Sequence, residues 1–399
     1  MRPFEGIRVL DFTRVVSGPY CTYLLGLQGA EIIKIEDRGQ GDSVRHGAGD
    51  PELRKQGLAA TFLMFNAGKK SITLDLKKPE AIEIVKALAR SSDVLVENFR
   101  AGVVDRLGLG WPVMREVNPR LVFCSISGYG QTGPDSRAPA FDGNIQAVSG
   151  MMAITGEPDR QPMRVGYSVA DTGTGLQAAF AIASALVERN RTNRGQFIDV
   201  SMLDSAISLM SQSVGTWLNA GTVQKRRANI SISQEPAADT FDTADGTLML
   251  GVMSDPHFVK LAKALGLDQL IGDPRCGSRD ARVKNAAAIR ALIQGALSKA
   301  TSAHWQQRLD ETGVPCSPVL ELAEALVQPQ VEHRKLVVSM NDAQTGKPIR
   351  ALSTPFTTEH GTPQPTFAPQ RLGAQTAAVL AELGYSEAQI ADLAQREVI

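Results

Sequence analysis

The chain has 399 residues, enough for two or three domains, and its 42 basic and 42 acidic side chains give a formal charge of zero. A neutral chain without a long basic block is a poor candidate for binding nucleic acid or an anionic membrane surface. No stretch approaches the roughly 20 apolar residues that a bilayer helix needs, and the N-terminus lacks a secretory-signal pattern. Four separated cysteines without a CxxC pair are typical of the reducing cytosol. We therefore expect a cytoplasmic protein with no nucleic-acid or membrane partner.

Short apolar runs alternate with helical patterns through the first half of the chain. Apolar strands that are separated by helices are typical of a largely parallel sheet with both faces covered. The pattern therefore predicts an α/β fold with a doubly wound, Rossmann-like domain. The predicted strands are GIRVLDF (6–12), EIIKIE (31–36), SITLDL (71–76), DVLVENF (93–99), LVFCSISG (121–128) and QFIDVSM (196–202), and the predicted helices cover 21–30, 77–92 and 173–189. The helix at 173–189 is apolar almost all round, so we expect it to be buried.

The second half of the chain indicates a smaller unit and then a helical tail. The polar segment 225–236 marks a boundary, and the Pro-rich stretch 355–369 is typical of an extended connector. Between these two segments the sequence predicts a strand at 247–253 and helices at 257–266, near 284–298 and at 301–312, and the tail predicts helices at 376–384 and 386–394.

Several motifs for cofactor binding and catalysis are missing from the sequence. The segment TRVVSGPY after the first strand does not fit the dinucleotide fingerprint GxGxxG, and no GxxxxGK[ST] phosphate loop occurs. The five histidines form no HExxH pair, and no GxSxG elbow is present. We therefore expect no metal site, and the sequence disfavours a nucleotide-dependent dehydrogenase, a P-loop enzyme and a hydrolase with a serine elbow.

Asp171 is the most informative acidic residue, because it lies at the start of the predicted buried helix, close to Gly173 and Gly175. One interpretation is a helix N-cap, a position that aspartate favours. The other is a nucleophilic carboxylate that the helix dipole and backbone N–H groups keep ionised. Small glycine neighbours would then let a large ligand approach the carboxylate oxygen. The physical chemistry of the residues alone does not separate these two interpretations.

A set of ordered motifs extends over nearly the whole chain. They are GIRVLDFTRVVSGP (6–19), GAEIIKIEDRGQGDSVR (29–45), NAGKKSITLDLK (66–77), DVLVENFRAGVVDRLGLG (93–110), SISGYGQTGP (125–134), GQFIDVSMLDS (195–205) and GVPCSPV (313–319). In these motifs the sequence resembles the family III CoA-transferases, a group that contains formyl-CoA transferase, carnitine CoA-transferase and α-methylacyl-CoA racemase.

The resemblance implies a mechanism that uses one aspartate. Asp171 matches the family's catalytic aspartate, which attacks an acyl-CoA thioester to give an acyl-aspartyl anhydride and free CoA thiolate. The thiolate then forms an aspartyl-CoA thioester, and the acceptor carboxylate takes over the CoA through a second anhydride. The implied substrates are an acyl-CoA and a small organic acid, and the chemistry needs no metal or redox cofactor.

The resemblance also implies where CoA binds. The positions that match the family's CoA-binding residues are Val16, Arg38, Leu74, Lys77, Asn98, Phe99 and Arg106. The basic side chains of Arg38, Lys77 and Arg106 suit the 3′-phosphate and the diphosphate, although each one alone fits a solvated surface charge equally well. Because these residues follow predicted strands, we expect an anion site at the carboxyl edge of the sheet.

Further segments bear on the choice between reactions. Racemases of the family resemble one another in a GHDxN motif whose histidine exchanges a proton, and this chain has AFDGN (140–144), with Phe141 at that position. Formyl-specific members carry a glycine-run lid where this chain has NISISQEP (229–236). The segments GYGQTGP (128–134) and ITGEPDRQPMRVG (154–166) resemble dicarboxylate-type members. These comparisons favour transfer of CoA from succinyl-CoA to a carboxylic or dicarboxylic acid.

The family resemblance implies an architecture as well. Residues 1–220 and 330–399 would form a large Rossmann-like domain, residues 221–329 a small α/β domain, and two chains an interlocked, ring-like homodimer. Two other functions stay open: an enzyme similar to α-methylacyl-CoA racemase, and a non-catalytic CoA-binding protein in which Asp171 only caps its helix.

Overall fold

A computed structural model describes residues 2–399 and divides them into two compact units. The first unit contains the described residues up to Met152 together with Arg164–Val223 and Pro329–Ile399. The second contains Ala153–Met163 and Gln224–Gln328. Both ends of the chain therefore contribute to the first unit.

A parallel sheet forms the centre of the first unit, which confirms the predicted α/β fold class. Within residues 2–399 the sheet has six strands in the order β3-β2-β1-β4-β5-β6, and every neighbouring pair is parallel. The strand order reverses at β1, and ligands of open α/β sheets bind outside the carboxyl ends of the strands at such a point. The strands are β1 (Arg8–Asp11), β2 (Glu31–Glu36), β3 (Lys69–Thr73), β4 (Val94–Glu97), β5 (Val122–Ser127) and β6 (Phe197–Ser201).

Helices cover the two faces of this sheet. Alternate strand residues point to opposite faces, so that Val9 packs with α1 and α9 while Leu10 packs with α4 and the C-terminal helices α18 and α19. The helices of the first unit are α1 (Ser17–Leu27), α2 (Pro51–Lys55), α3 (Ala60–Asn66), α4 (Pro79–Arg90), α5 (Val103–Arg106), α6 (Trp111–Val117), α7 (Asp142–Val148), α8 (Met151–Ile154, which continues into the second unit), α9 (Val169–Thr192), α10 (Met202–Leu209) and α11 (Ser211–Ala220), together with α17 (Pro329–His333), α18 (Thr376–Glu382) and α19 (Glu387–Gln395).

Helix α9 differs from its prediction in one respect. Ala178 and Ile182 are buried against the sheet, as expected. The opposite face, however, exposes Leu176, Phe180 and Val187, and the exposed fraction of Phe180 is 73%. The expectation that this helix is buried all round is therefore wrong for the single chain, and its outer face is an unpartnered apolar surface.

The second unit contains a small antiparallel sheet with helices around it. Its core includes Phe241, Leu248 and Trp305. The strands are β7 (Thr240–Asp242), β8 (Thr247–Leu250) and β9 (Cys316–Pro318), in the order β7-β8-β9, and the helices are α12 (Asp255–Ala264), α13 (Arg279–Lys284), α14 (Ala286–Leu297), α15 (Ser302–Thr312) and α16 (Leu322–Leu326).

An antiparallel hairpin precedes the predicted Pro-rich connector and was not predicted from the sequence. It pairs β10 (Val337–Asn341) with β11 (Pro348–Leu352) and belongs to the first unit. Only Ile349 and Ala351 of these strands are fully buried, so the hydrophobic pattern of the hairpin is weak. Among the helices of residues 2–399, none combines the length and the apolarity that crossing a bilayer requires.

Candidate active site

A cavity of about 220 Å³ opens at the carboxyl edge of the large sheet, beside the ends of β1, β4 and β5. It lies next to the strand-order reversal at β1, where ligands of this fold class bind. The lining residues come from the loop after β1 and the start of α1, the loop after β4, the end of β5 and the loop that follows it, and the starts of α9 and α10. They are Arg14, Val15, Val16, Ser17, Asn98, Phe99, Arg100, Ala101, Ile126, Ser127, Gly128, Ser136, Ala138, Ala140, Phe141, Asp171 and Met202.

Asp171 is the third residue of α9, and the N-cap position belongs to Ser168. Another carboxylate satisfies the free N–H groups of this helix. Asp142 Oδ2 accepts hydrogen bonds from the backbone nitrogens of Ala170, at 2.9 Å, and of Asp171, at 3.2 Å. The interpretation of Asp171 as the N-cap is therefore wrong, and its side chain lines the cavity instead.

The environment of Asp171 raises the pKa of its carboxyl group. Burial, followed by the negative charge of Asp142, raises the pKa of Asp171 from 3.8 to about 7, and the hydrogen bond from Ser17 opposes this shift. The expectation that the helix N-terminus keeps this carboxylate ionised is therefore wrong, because Asp142 takes up the helix N–H groups. A desolvated carboxylate has lost the water that weakens it as a nucleophile.

The two glycines near Asp171 serve helix packing rather than ligand access. A Cβ atom added to Gly175 would lie 2.5 Å from the carbonyl oxygen of Ser17, at the contact between α1 and α9. A Cβ on Gly173 would lie 2.5 Å from Leu209 Cδ1. The predicted role of these glycines, to let a ligand approach the carboxylate, is therefore not the one that their surroundings indicate.

The loop between β1 and α1 is held in a strained conformation beside Asp171. Val15 adopts a φ of 71°, which a β-branched residue rarely does. Both oxygens of Asp42 accept from the nitrogen of Val15, at 3.1 and 3.2 Å. The side chain of Asn98 makes two hydrogen bonds to the backbone of Arg14. Asn98 Oδ1 accepts from the Arg14 nitrogen, and Asn98 Nδ2 donates to the Arg14 carbonyl oxygen, each at 2.8 Å. These bonds fix the part of the cavity wall that contains Val16 and Ser17.

Buried charged side chains also contact the loop between β1 and α1. Lys34 Nζ donates to the carbonyl oxygen of Thr13 at 2.6 Å and lies 3.2 Å from Asp42 Oδ2. Asp11 accepts from Lys69 Nζ at 3.0 Å. Burial raises the pKa of Asp11, but the positive charges of Lys69 and Lys34 together with hydrogen bonds from two threonine hydroxyls lower it to about 2. These buried contacts hold the loop that forms one wall of the cavity.

Three of the predicted CoA contacts line the Asp171 cavity: Val16, Asn98 and Phe99. Arg106 lines a neighbouring cavity of about 430 Å³, which shares Ala101 and Ser136 with the first. The structure therefore places three of the predicted contacts in the cavity of Asp171 and a fourth, Arg106, in the cavity next to it.

The other three predicted contacts follow β2 and β3 at the same edge of the sheet but do not line this cavity in the described chain. Arg38 donates from Nε to the carbonyl oxygen of Ile399 at 3.2 Å and lies 3.3 Å from Glu397. Leu74 is buried in the main core, and Lys77 is exposed.

Sequence reasoning missed several residues of the cavity. Arg14 and Arg100 add positive charge to the wall, and the guanidinium of Arg14 lies 5.4 Å from the centre of the Phe99 ring. Arg14 and Ser17 belong to the TRVVSGP motif (13–19), so the family resemblance could have indicated that they lie at the site. Asp142 follows Phe141 in AFDGN, but its contact with α9 spans 29 residues and no local pattern indicates it.

Comparison with known proteins identifies the family. The model of CoA-transferase family III matches residues 4–376. Succinyl-CoA:glutarate CoA-transferase of Mus musculus is 37% identical over 87% of this chain and 79% of the mouse protein. Succinate--glutarate CoA-transferase of Agrobacterium fabrum is 36% identical over 96% of both chains. Acetyl-CoA:oxalate CoA-transferase of Acetobacter aceti is 38% identical over 87% of this chain and 89% of its own length.

Solved structures agree with this assignment. A CAIB/BAIF family protein from Brucella suis superimposes with a TM-score of 0.86 at 33% identity, covering 96% of this chain and 99% of its own. The protein Rv3272 from Mycobacterium tuberculosis superimposes with a TM-score of 0.84 at 29% identity, covering 95% of this chain and 99% of its own. The chain therefore belongs to CoA-transferase family III and is an enzyme of the CoA-transferase type.

Proposed function

We propose that this enzyme moves CoA from succinyl-CoA to a small carboxylic or dicarboxylic acid. The observation that carries the proposal is the partly buried carboxyl of Asp171, whose pKa is raised to about 7 and which lines a cavity at the carboxyl edge of the sheet. The donor is suggested by relatives whose names contain succinyl-CoA, among them the succinyl-CoA--D-citramalate CoA-transferase of Chloroflexus aurantiacus, which is 34% identical over 87% of this chain.

In the proposed mechanism an oxygen of Asp171 attacks the thioester carbonyl of the donor. The carbon–sulfur bond breaks, leaving a mixed anhydride on Asp171 and free CoA thiolate. The thiolate then attacks the aspartyl carbonyl, releases the donor acid as a carboxylate and leaves an aspartyl-CoA thioester. The acceptor carboxylate attacks this thioester, and its carbon–sulfur bond breaks to give a second anhydride and free CoA thiolate. The thiolate then attacks the acceptor's acyl carbonyl in this anhydride, which releases the acyl-CoA product and regenerates Asp171 as a carboxylate.

We propose that CoA lies along the carboxyl edge of the sheet, with Val16, Asn98 and Phe99 beside the thioester. This placement is supported by the cavity that these three residues line together with Asp171. Basic side chains on loops after successive strands would hold the phosphates of CoA, because guanidinium groups bind phosphate oxygens in pairs. The proposed phosphate and nucleotide contacts are Arg38, Leu74, Lys77 and Arg106.

Proton exchange at the α-carbon, the reaction of a racemase, finds no support in this cavity. Phe141 occupies the position of the racemase histidine, lines the cavity and is 71% exposed. A phenyl ring neither takes up nor releases a proton. We therefore propose that the enzyme transfers CoA and does not racemise its substrate.

We further propose that the two compact units are the predicted large and small domains and that two chains form an interlocked homodimer in the cytoplasm. The exposed apolar side chains Leu176, Phe180 and Val187 of α9 support a partner chain, because monomers rarely expose large contiguous apolar patches.

An acceptor screen tests the proposed function. With succinyl-CoA as donor, we expect glutarate and related dicarboxylates to be converted to their CoA thioesters, and chromatography of the products measures the transfer. Oxalate belongs in the screen because several relatives are named for it. Incubation of a racemisable acyl-CoA in deuterated water without acceptor is the control. Deuterium at the α-carbon without any acid-dependent transfer would contradict the proposal.

The rate of transfer is expected to depend on pH through Asp171. Since the nucleophile must be ionised, the rate should rise about tenfold per pH unit below the pKa of about 7 and level off above it. Replacing Asp142 with asparagine keeps an oxygen for the helix N–H groups but removes a charge that raises the pKa of Asp171. The midpoint of the profile should therefore move to lower pH in D142N, and an unchanged midpoint would show that another group titrates.

A further inference from the structure

Ser127 carries a buried hydroxyl that the fold leaves without a hydrogen-bond partner among residues 2–399. The residue ends β5 and is 8% exposed, and it lines the cavity that contains Asp171. An unpaired buried hydroxyl destabilises the folded protein, so buried polar groups in proteins are nearly always paired. An unpaired hydroxyl on a residue that lines the same cavity as the Asp171 carboxyl therefore indicates a ligand that completes its bonding.

The neighbouring hydroxyls are already used by the protein. Ser17 donates to Asp171, and Ser136 donates to the carbonyl oxygen of Gly133 at 3.0 Å. Ser201, which lies opposite Ser127 in β6, accepts from the nitrogen of Asp204 at 3.2 Å as the cap of α10. Of the serines that line the Asp171 cavity in the described chain, Ser127 is the one whose hydroxyl is unpaired.

The position of Ser127 is rigid, because the backbone around it is fixed on both sides. Its strand pairs with β6 through Ser127, and β5 is also paired with β4 on its other side. At the next residue a Cβ on Gly128 would lie 2.4 Å from the Cβ of Ala140, so the loop before α7 packs directly on the strand end. A donor on such an element needs little reorganisation when a ligand binds.

We propose that Ser127 is a catalytic residue that donates a hydrogen bond to the carbonyl oxygen of the acyl group under attack by Asp171. The inference rests on the proposed function of Asp171. When the carboxylate adds to the thioester, this oxygen gains negative charge, and a fixed donor in a buried site stabilises that charge more than it stabilises the ground state. The carbonyl oxygen of the acyl thioester is thus the hydrogen-bond acceptor that the hydroxyl of Ser127 lacks in the protein alone.

The S127A variant tests this role by comparing activity with stability. With succinyl-CoA and glutarate as substrates, we expect kcat/KM to fall about tenfold or more, since one hydrogen bond to a developing charge is lost. The temperature of unfolding should stay equal or rise, because the substitution removes an unpaired buried hydroxyl. A serine with only a structural role would produce the opposite pattern.

Ser125 provides a matched control in the same strand. Its hydroxyl donates to the buried carboxylate of Glu97, so S125A should lower the temperature of unfolding, in contrast to S127A. Wild-type kcat/KM in S127A, while a variant without the Asp171 carboxylate is inactive, would overturn the inference about Ser127 and leave the proposed function intact. A lower unfolding temperature in S127A would also overturn it, because the hydroxyl would then have a structural partner. Full activity without the Asp171 carboxylate would instead contradict the proposed function itself.

Discussion

Replacing Asp171 with asparagine should lower the rate of CoA transfer about a thousandfold or more, because an amide cannot form the acyl anhydride. The variant keeps the size of the side chain and its place at the third position of α9. In the wild-type enzyme, incubation with succinyl-CoA followed by hydroxylamine or borohydride should modify Asp171, and mass spectrometry of the digested protein locates the label. No label should appear at this position in D171N.

The same substitution should make the protein more stable at neutral and higher pH. The folded state raises the pKa of Asp171 from 3.8 to about 7, so the folded protein holds a proton that the unfolded chain has already lost. Stability therefore falls as the pH rises from about 4 to about 7, and the loss is complete above pH 7. Asparagine has no charge to desolvate, and D171N should gain on the order of 3 kcal/mol at pH 8 and less at pH 5.

Urea unfolding of both proteins at the two pH values checks this expectation. A gain in stability that accompanies the loss of activity is characteristic of a residue kept for chemistry at the expense of the fold. D142N serves as the comparison, because it changes the charge beside Asp171 but leaves the proposed nucleophile in place. An active D171N, or an Asp171 that stays unlabelled in the wild-type enzyme, would remove this residue from the mechanism.

The central sheet could be predicted from the sequence because its strands are buried on both faces and appear as apolar runs. The run EIIKIE coincides with β2 (Glu31–Glu36). Strand β3 was predicted at 71–76 but lies at Lys69–Thr73, since it begins with a buried lysine that pairs with Asp11. A hydrophobic pattern does not recognise a buried ion pair, and the strand therefore starts two residues earlier than predicted.

Only those residues of the candidate site that lie in family motifs or directly after predicted strands could be predicted from the sequence. Val16, Asn98 and Phe99 follow strands of a parallel sheet, and the topology brings them to the cavity of Asp171. The direction of the Asp171 pKa shift could not be predicted, because it depends on burial and on Asp142 from a different helix. Contacts of this kind form only when the chain has folded, so the local sequence around Asp171 suggested an ionised carboxylate instead.

The second large effect is expected at Gly175, where the contact between α1 and α9 leaves no space for a side chain. A Cβ atom there would lie 2.5 Å from the carbonyl oxygen of Ser17 and 3.2 Å from the nitrogen of Cys21. Both are backbone atoms of α1, which cannot rotate away as a flexible side chain could. The helices must separate, and G175A should lose about 2–3 kcal/mol in the free energy of unfolding.

Activity should fall in the same variant, because the displaced residue contacts the proposed nucleophile. Ser17 donates a hydrogen bond to Asp171 that opposes the rise of its pKa. If α1 moves away from α9, this bond weakens, the pKa of Asp171 rises further, and a smaller fraction of the carboxyl is ionised at pH 7. The midpoint of the pH–rate profile should therefore move to higher pH in G175A, opposite to the shift expected for D142N.

Gly295 provides the control for the general effect of replacing a helical glycine. It lies exposed in α14, and a Cβ there would meet no heavy atom within 4 Å. G295A should therefore stabilise the protein by about 0.5–1 kcal/mol through helix propensity alone. Equilibrium unfolding in urea compares the two variants. If G175A were as stable as G295A and kept the wild-type pH profile, the contact between α1 and α9 at Gly175 could not be what holds Ser17 against Asp171.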